Sequence, residues 1–151
     1  MTILFMFFGM TTDYEFNLLS IIYLLFPTIQ RVALDLYVIR VEKKEIDHVG
    51  HTTLTIVLII LFSLLNMVAH NVSFFKSIIF SSGMFILLFD YSLNILRGKS
   101  WNYIDQGLDG ISSGADKIYR LLGVWPVLFF KIVIFMATFA IYYTWSYIAQ
   151  N

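Results

Sequence analysis

Apolar residues come in four long runs along this chain, parted by short polar connections, and that alternation governs the rest of the reading. The cleanest run, TTLTIVLIILFSLLNMVA at 52–69, carries no formal charge and has the length of a membrane-crossing helix. Three others lie at about 16–39, 74–96 and 125–148. The pattern predicts an all-α integral membrane bundle of about four transmembrane helices, with residues 1–151 forming a single transmembrane domain.

The run at 16–39 is the least regular, because it contains Pro27, Gln30, Arg31 and Asp35. A charge near mid-membrane costs about 2.5–3.5 kcal/mol on insertion scales, and Pro27 predicts a kink or a fresh helix start. Beyond it Ile29, Val32, Ala33, Leu36 and Ile39 recur at helical spacing, so this half can instead lie tilted or interfacial, which leaves a three-span alternative. The basic residues favour four spans. The connections 40–51 and 97–124 then share one side and hold Arg40, Lys43, Lys44, Arg97, Lys99, Lys117 and Arg120, against Lys76 on the other. The positive-inside rule predicts that both connections are cytoplasmic and both termini lie on the opposite side; three spans would spoil this asymmetry. Aromatic residues cluster at the same two levels, Tyr142, Tyr143, Trp145 and Tyr147 at one and Trp101, Tyr103, Tyr119 and Trp125 at the other.

The polar stretch 97–124 predicts a short amphipathic interfacial helix before the last span. Ser112 or Ser113 can cap it, Asp116 suits its first turn, Gly123 its stop, and Ile118, Leu121 and Leu122 give it an apolar face. The opening MTILFMFFGM has no basic flank and is followed by Asp13 and Glu15, so it reads as an apolar lip in the interface or against a partner, not a signal peptide.

Composition narrows the function classes. With 59% apolar and 13% charged residues and a mean hydropathy of +0.79, the chain departs far from soluble averages. Ten basic and ten acidic residues cancel, so nucleic-acid binding has no electrostatic footprint. The lack of Cys excludes disulfides and thiolate chemistry. No phosphate loop, nucleophile elbow, HExxH or dinucleotide fingerprint is present, and DQGLDG at 105–110 lacks the oxygen ligand spacing of a calcium loop, so no cofactor is expected.

The charges inside the spans carry the candidate chemistry. Arg31, Asp35, Asp90 and Lys131 sit about 7–14 Å deep from the same end at 1.5 Å per residue, and they sum to zero. Arg31 and Asp35 are spaced i,i+4, and Asn94 and Gln30 can complete the hydrogen bonding of this intramembrane charge network. Such groups mark either an ion or proton path or a neutralised set that fixes helix register, and the balanced count favours the second. Arg97, Lys99, Trp101, Tyr103 and Trp125 are expected headgroup and interface contacts. His48 and His51, spaced i,i+3 after Glu45 and Asp47, are weak metal candidates; without a third firm ligand they read as interfacial imidazoles. Asn66 and His70 are expected to bond a neighbouring helix, and Ser77, Ser81, Ser82 and Gly83 are small enough to admit close helix approach.

The stretch Phe89-Asp90, Asn94, Arg97-Gly98-Lys99, Trp101, Tyr103 and Asp116, followed by a final apolar span, resembles small uncharacterised multi-pass membrane proteins carried by phages and mobile elements of Bacteroidota. The resemblance covers about the C-terminal half and implies no known activity. It implies that Asp90, Asn94, Arg97, Lys99 and Trp101 act together where the third span leaves the bilayer. The sequence thus predicts a non-enzymatic structural or assembly subunit of a larger membrane complex, with lipid and other membrane subunits or copies of itself as partners. The alternatives are an ion- or proton-conducting or membrane-permeabilising homo-oligomer using the intramembrane charges, and, more remotely, a membrane-embedded metal-dependent enzyme.

Overall fold

A computed structural model describes residues 18–42, 48–70, 72–103 and 114–148, and every regular element among them is helical. Helix α1, Leu18–Tyr37, runs on into a π-helical turn at Val38–Glu42; α2 spans His48–His70, α3 Phe74–Leu96, α4 Gly114–Leu122 and α5 Val124–Ile148. All but α4 are long and apolar enough to cross a bilayer. The helices fall on the four apolar runs, with α1 passing through Pro27 unbroken. The N-terminal lip, Glu45 and Asp47, the Ser112 or Ser113 cap and the DQGLDG stretch lie outside the described residues.

What sorts residues in this molecule is an inversion of the soluble rule. Among the described residues the buried apolar set is short (Leu24, Val32, Ile59, Met67, Phe80, Leu93, Tyr119 and Val127), while Ser20, Thr28, Arg31, Asp35, Thr55, Ser63, Asn66, Lys76, Ser77, Ser81 and Asn94 are all buried. The exterior is lined by Leu, Ile, Val and Phe. In water such a surface would be an aggregation liability, whereas lipid tails would solvate it and leave polar side chains to find bonding partners inside the bundle.

Helices α1, α2 and α3 pack against one another as a three-helix core, while α5 packs along α3 and α4 against α5. Contacts of Tyr23 with His70 and of Phe26 with Phe62 set α1 antiparallel to α2. The α3–α5 seam is tight for a local reason: a methyl group on Gly83 would overlap the side chain of Thr138, so only glycine admits this approach. One turn away Phe80 meets Phe135, Phe139 and Tyr142, with ring centroids 6.0, 6.2 and 4.8 Å apart. Of the small residues picked out by sequence, Ser77, Ser81 and Gly83 are buried in these seams and Ser82 is half-buried. Ser81 also donates to the Leu24 carbonyl at 2.9 Å, one turn before Pro27. This bond ties α3 to α1 close to Pro27, where the pyrrolidine ring removes one helical N–H donor.

Helix α4 ends on Gly123, whose φ of +83° is left-handed and whose N–H bonds the Tyr119 carbonyl at 2.8 Å, after which α5 begins at once. Exposed Ile118, Leu121 and Leu122 beside exposed Lys117 and Arg120 give α4 the amphipathic character expected of it.

Candidate functional site

Two ion-pair centres lie at the end of the bundle where α1 and α3 finish and α2 and α5 start. The first belongs to the core. Arg31 Nη2 lies 2.6 Å from Asp35 Oδ1 along α1, with side-chain exposures of 3% and 2%. The i,i+4 spacing predicted this pair, but not its third member. His51, three residues into α2, places Nδ1 2.6 Å from the same Asp35 oxygen and in hydrogen-bond contact with Arg31 Nη2. One ring nitrogen therefore faces an obligate donor and an acceptor together. Neutral, it can accept from Arg31; protonated, it donates to Asp35.

The second centre stands at the edge. Lys131 Nζ on α5 meets Asp90 Oδ2 on α3 at 2.5 Å, with exposures of 12% and 35%. Tyr91 and Tyr119 flank the ammonium with ring centroids 5.0 and 5.2 Å away, and the Tyr119 hydroxyl donates to the same Asp90 oxygen at 3.5 Å. Tyr119 is buried, alone among the α4 residues whose side chains are described, so this clamp fastens the short helix to the α3–α5 seam. The four charges expected to form one network are thus distributed between two helix pairs, each neutral by itself.

Asn94 does other work than completing Asp90. Its side-chain amide donates to the carbonyls of Trp101 and Tyr103 at 3.2 and 2.9 Å, folding the segment after α3 back on the helix. Trp101 then meets Tyr91 and Trp125 edge-on at 5.7 and 6.1 Å, and Lys99 sits 4.9 Å over the Tyr103 ring. Arg97 is half-buried at the α3 C-terminus. These residues of the predicted interface group do gather, together with Arg40, which donates to the Leu96 carbonyl. The His48 side chain lies outside the described residues, while His51 is committed to the Arg31–Asp35 centre. Gln30 is half-buried next to it.

A third feature went unseen in the sequence. Ser20, Thr28, Arg31 and Asp35 on α1 and His51, Thr55, Ser63 and Asn66 on α2 repeat every three, four or eight residues, so each set lies on one helix face. Both faces point into the core, where Ser77 and Ser81 of α3 join them. Asn66 donates to Ser77 Oγ at 2.9 Å and Ser20 pairs with Tyr142 at 3.3 Å. The Thr28 and Ser63 hydroxyls, Asn66 Oδ1 and Arg31 Nη1 are buried with no hydrogen-bond partner among the described residues. The signal was present as a helical period of polar residues, the converse of the apolar period normally sought.

Compared with known proteins, the chain matches no family model, no curated protein and no solved structure.

Proposed function

We propose that this chain is a non-enzymatic multi-pass membrane protein that works as an assembly subunit of a larger membrane complex. In this reading the connections around 40–51 and 97–124 are cytoplasmic, and α5 is the helix offered to a partner. The observation that carries it is the asymmetry of α5. Its inward face, Lys131, Phe135, Thr138 and Tyr142, is consumed by α3, yet only 6% of its span is buried, against 39% for α1. On another face Ala137, Ala140 and Thr144 are exposed at small-residue spacing, flanked by Phe130, Val133 and Met136. Lipid needs no small residues; a second transmembrane helix does, because they let backbones come close. The occupant is therefore a partner's apolar transmembrane helix.

The test is extraction of the protein from its native membrane in mild detergent, with the mass of the intact particle measured. Co-migration with a defined partner that is lost in Ala140→Phe, while helical content is kept, supports the reading. A partner-free monomer from the native membrane refutes it.

A further inference from the structure

We propose that the C-terminal end of α3 binds the phosphate of one anionic phospholipid through Arg40, Arg97 and Lys99. This rests on the membrane-spanning reading of the helices and is independent of the subunit reading.

The backbone at this end explains why three cations are at the disposal of a ligand. The last turn of a helix leaves its carbonyls open. Here the carbonyls of Leu93, Asn94 and Ile95 accept from the amides of Arg97, Lys99 and Gly98 at 3.0, 2.9 and 2.9 Å, and that of Leu96 accepts from the Arg40 guanidinium. Gly98, at a φ of +74°, makes the turn possible. The Arg97 and Lys99 side chains are thus not needed to close the helix. A helix C-terminus carries about half a negative charge, so three cations there leave a surplus of about 2.5. The acids whose side chains are described, Asp35 and Asp90, do not neutralise it: Arg31 and His51 hold the first and Lys131 the second.

The cations are also held in place. Asn94 ties down the carbonyls of Trp101 and Tyr103, the Lys99 ammonium sits 4.9 Å over the Tyr103 ring, and Arg40 is fixed by its bond to Leu96. The surroundings favour a lipid over a soluble anion. Ile95 and Leu96, beside the cations, are exposed and apolar, a surface that acyl chains would cover. Trp101 and Trp125, edge-on to each other and both exposed, are residues that suit the headgroup level. A zwitterionic headgroup would bring its own ammonium against three like charges, so an anionic one is selected.

The experiment uses the full chain in an uncharged detergent, titrated with phosphatidylglycerol, phosphatidylcholine or inorganic phosphate, with adducts counted by native mass spectrometry. Phosphatidylglycerol should be retained as a one-to-one adduct and phosphatidylcholine should not. Arg97→Gln and Lys99→Gln, each checked for native helical content, should weaken that adduct about five-fold apiece. Lys117→Gln, which removes an exposed cation from α4, should leave it unchanged. Equal retention of the two lipids overturns the proposal, as does displacement of phosphatidylglycerol by an equal concentration of inorganic phosphate, which would mark a site for a soluble anion. A loss in Lys117→Gln as large as in Lys99→Gln also overturns it, because the attraction would then belong to the whole surface and not to this end of α3.

Discussion

The two ion pairs share chemistry and depth but differ in surroundings, and the difference shows what burial does to a charge. Asp35 sits in the three-helix core at 2% side-chain exposure with Arg31 and His51 against one oxygen; Asp90 stands at a seam, 35% exposed, holding Lys131 between two tyrosine rings. In the core neither partner can reach water if the other is lost. At the edge Lys131 has a flexible stem that can extend outward from the bundle and keep part of its solvation. The core pair therefore governs whether the bundle folds, and the edge pair governs how α4 and α5 are fastened to it.

The largest effect expected to sharpen this contrast comes from Asp35→Asn, which strands the Arg31 charge. It should cost about 3–5 kcal/mol, read as a large fall in unfolding temperature or loss of folded protein on extraction. Next comes Gly83→Leu, which drives a branched side chain into Thr138 and should cost about 1–3 kcal/mol by thermal unfolding in detergent, with α5 separating from α3. Asp90→Asn follows at about 1 kcal/mol, since its carboxylate is partly solvated; its clearer signature is faster proteolysis of α4, no longer held through Tyr119. The smallest is Leu121→Ser on the outward face of α4, where stability in detergent should move by no more than about 0.5 kcal/mol. A reversal of the Asp35 and Asp90 ranks would break the comparison.

The helices were legible because their signal is redundant. Some twenty apolar residues in succession specify a span whatever they pack against, and Gly123 marked the α4 stop by its own backbone preference. The Arg31–Asp35 pair was legible because it is local to one helix. Asp90–Lys131 followed from two helices at matched depth, but the division into two centres did not, since it depends on α5 lying beside α3 and not inside the core. The contact of His51 with Asp35 was not legible, because it depends on how α2 packs beside α1 and not on spacing along either helix. Asn94 was assigned to Asp90 one turn away, whereas its amide reaches forward to the Trp101 and Tyr103 carbonyls, a turn that sequence spacing does not encode. The polar faces of α1 and α2 were missed for a physical reason: in a bilayer the inward face is the polar one, so a search tuned to apolar stripes looks at the wrong side.

The central claim is that Arg31 and Asp35 are a charge-compensated pair sealed inside the core, and one comparison of unfolding temperatures tests it most directly. Asp35→Leu alone should be strongly destabilised, while Arg31→Met combined with Asp35→Leu, which removes both buried charges, should unfold close to or above the unmodified protein. If the double variant is instead as unstable as the two single losses added together, the pair is not sealed from solvent and the account of the core is wrong.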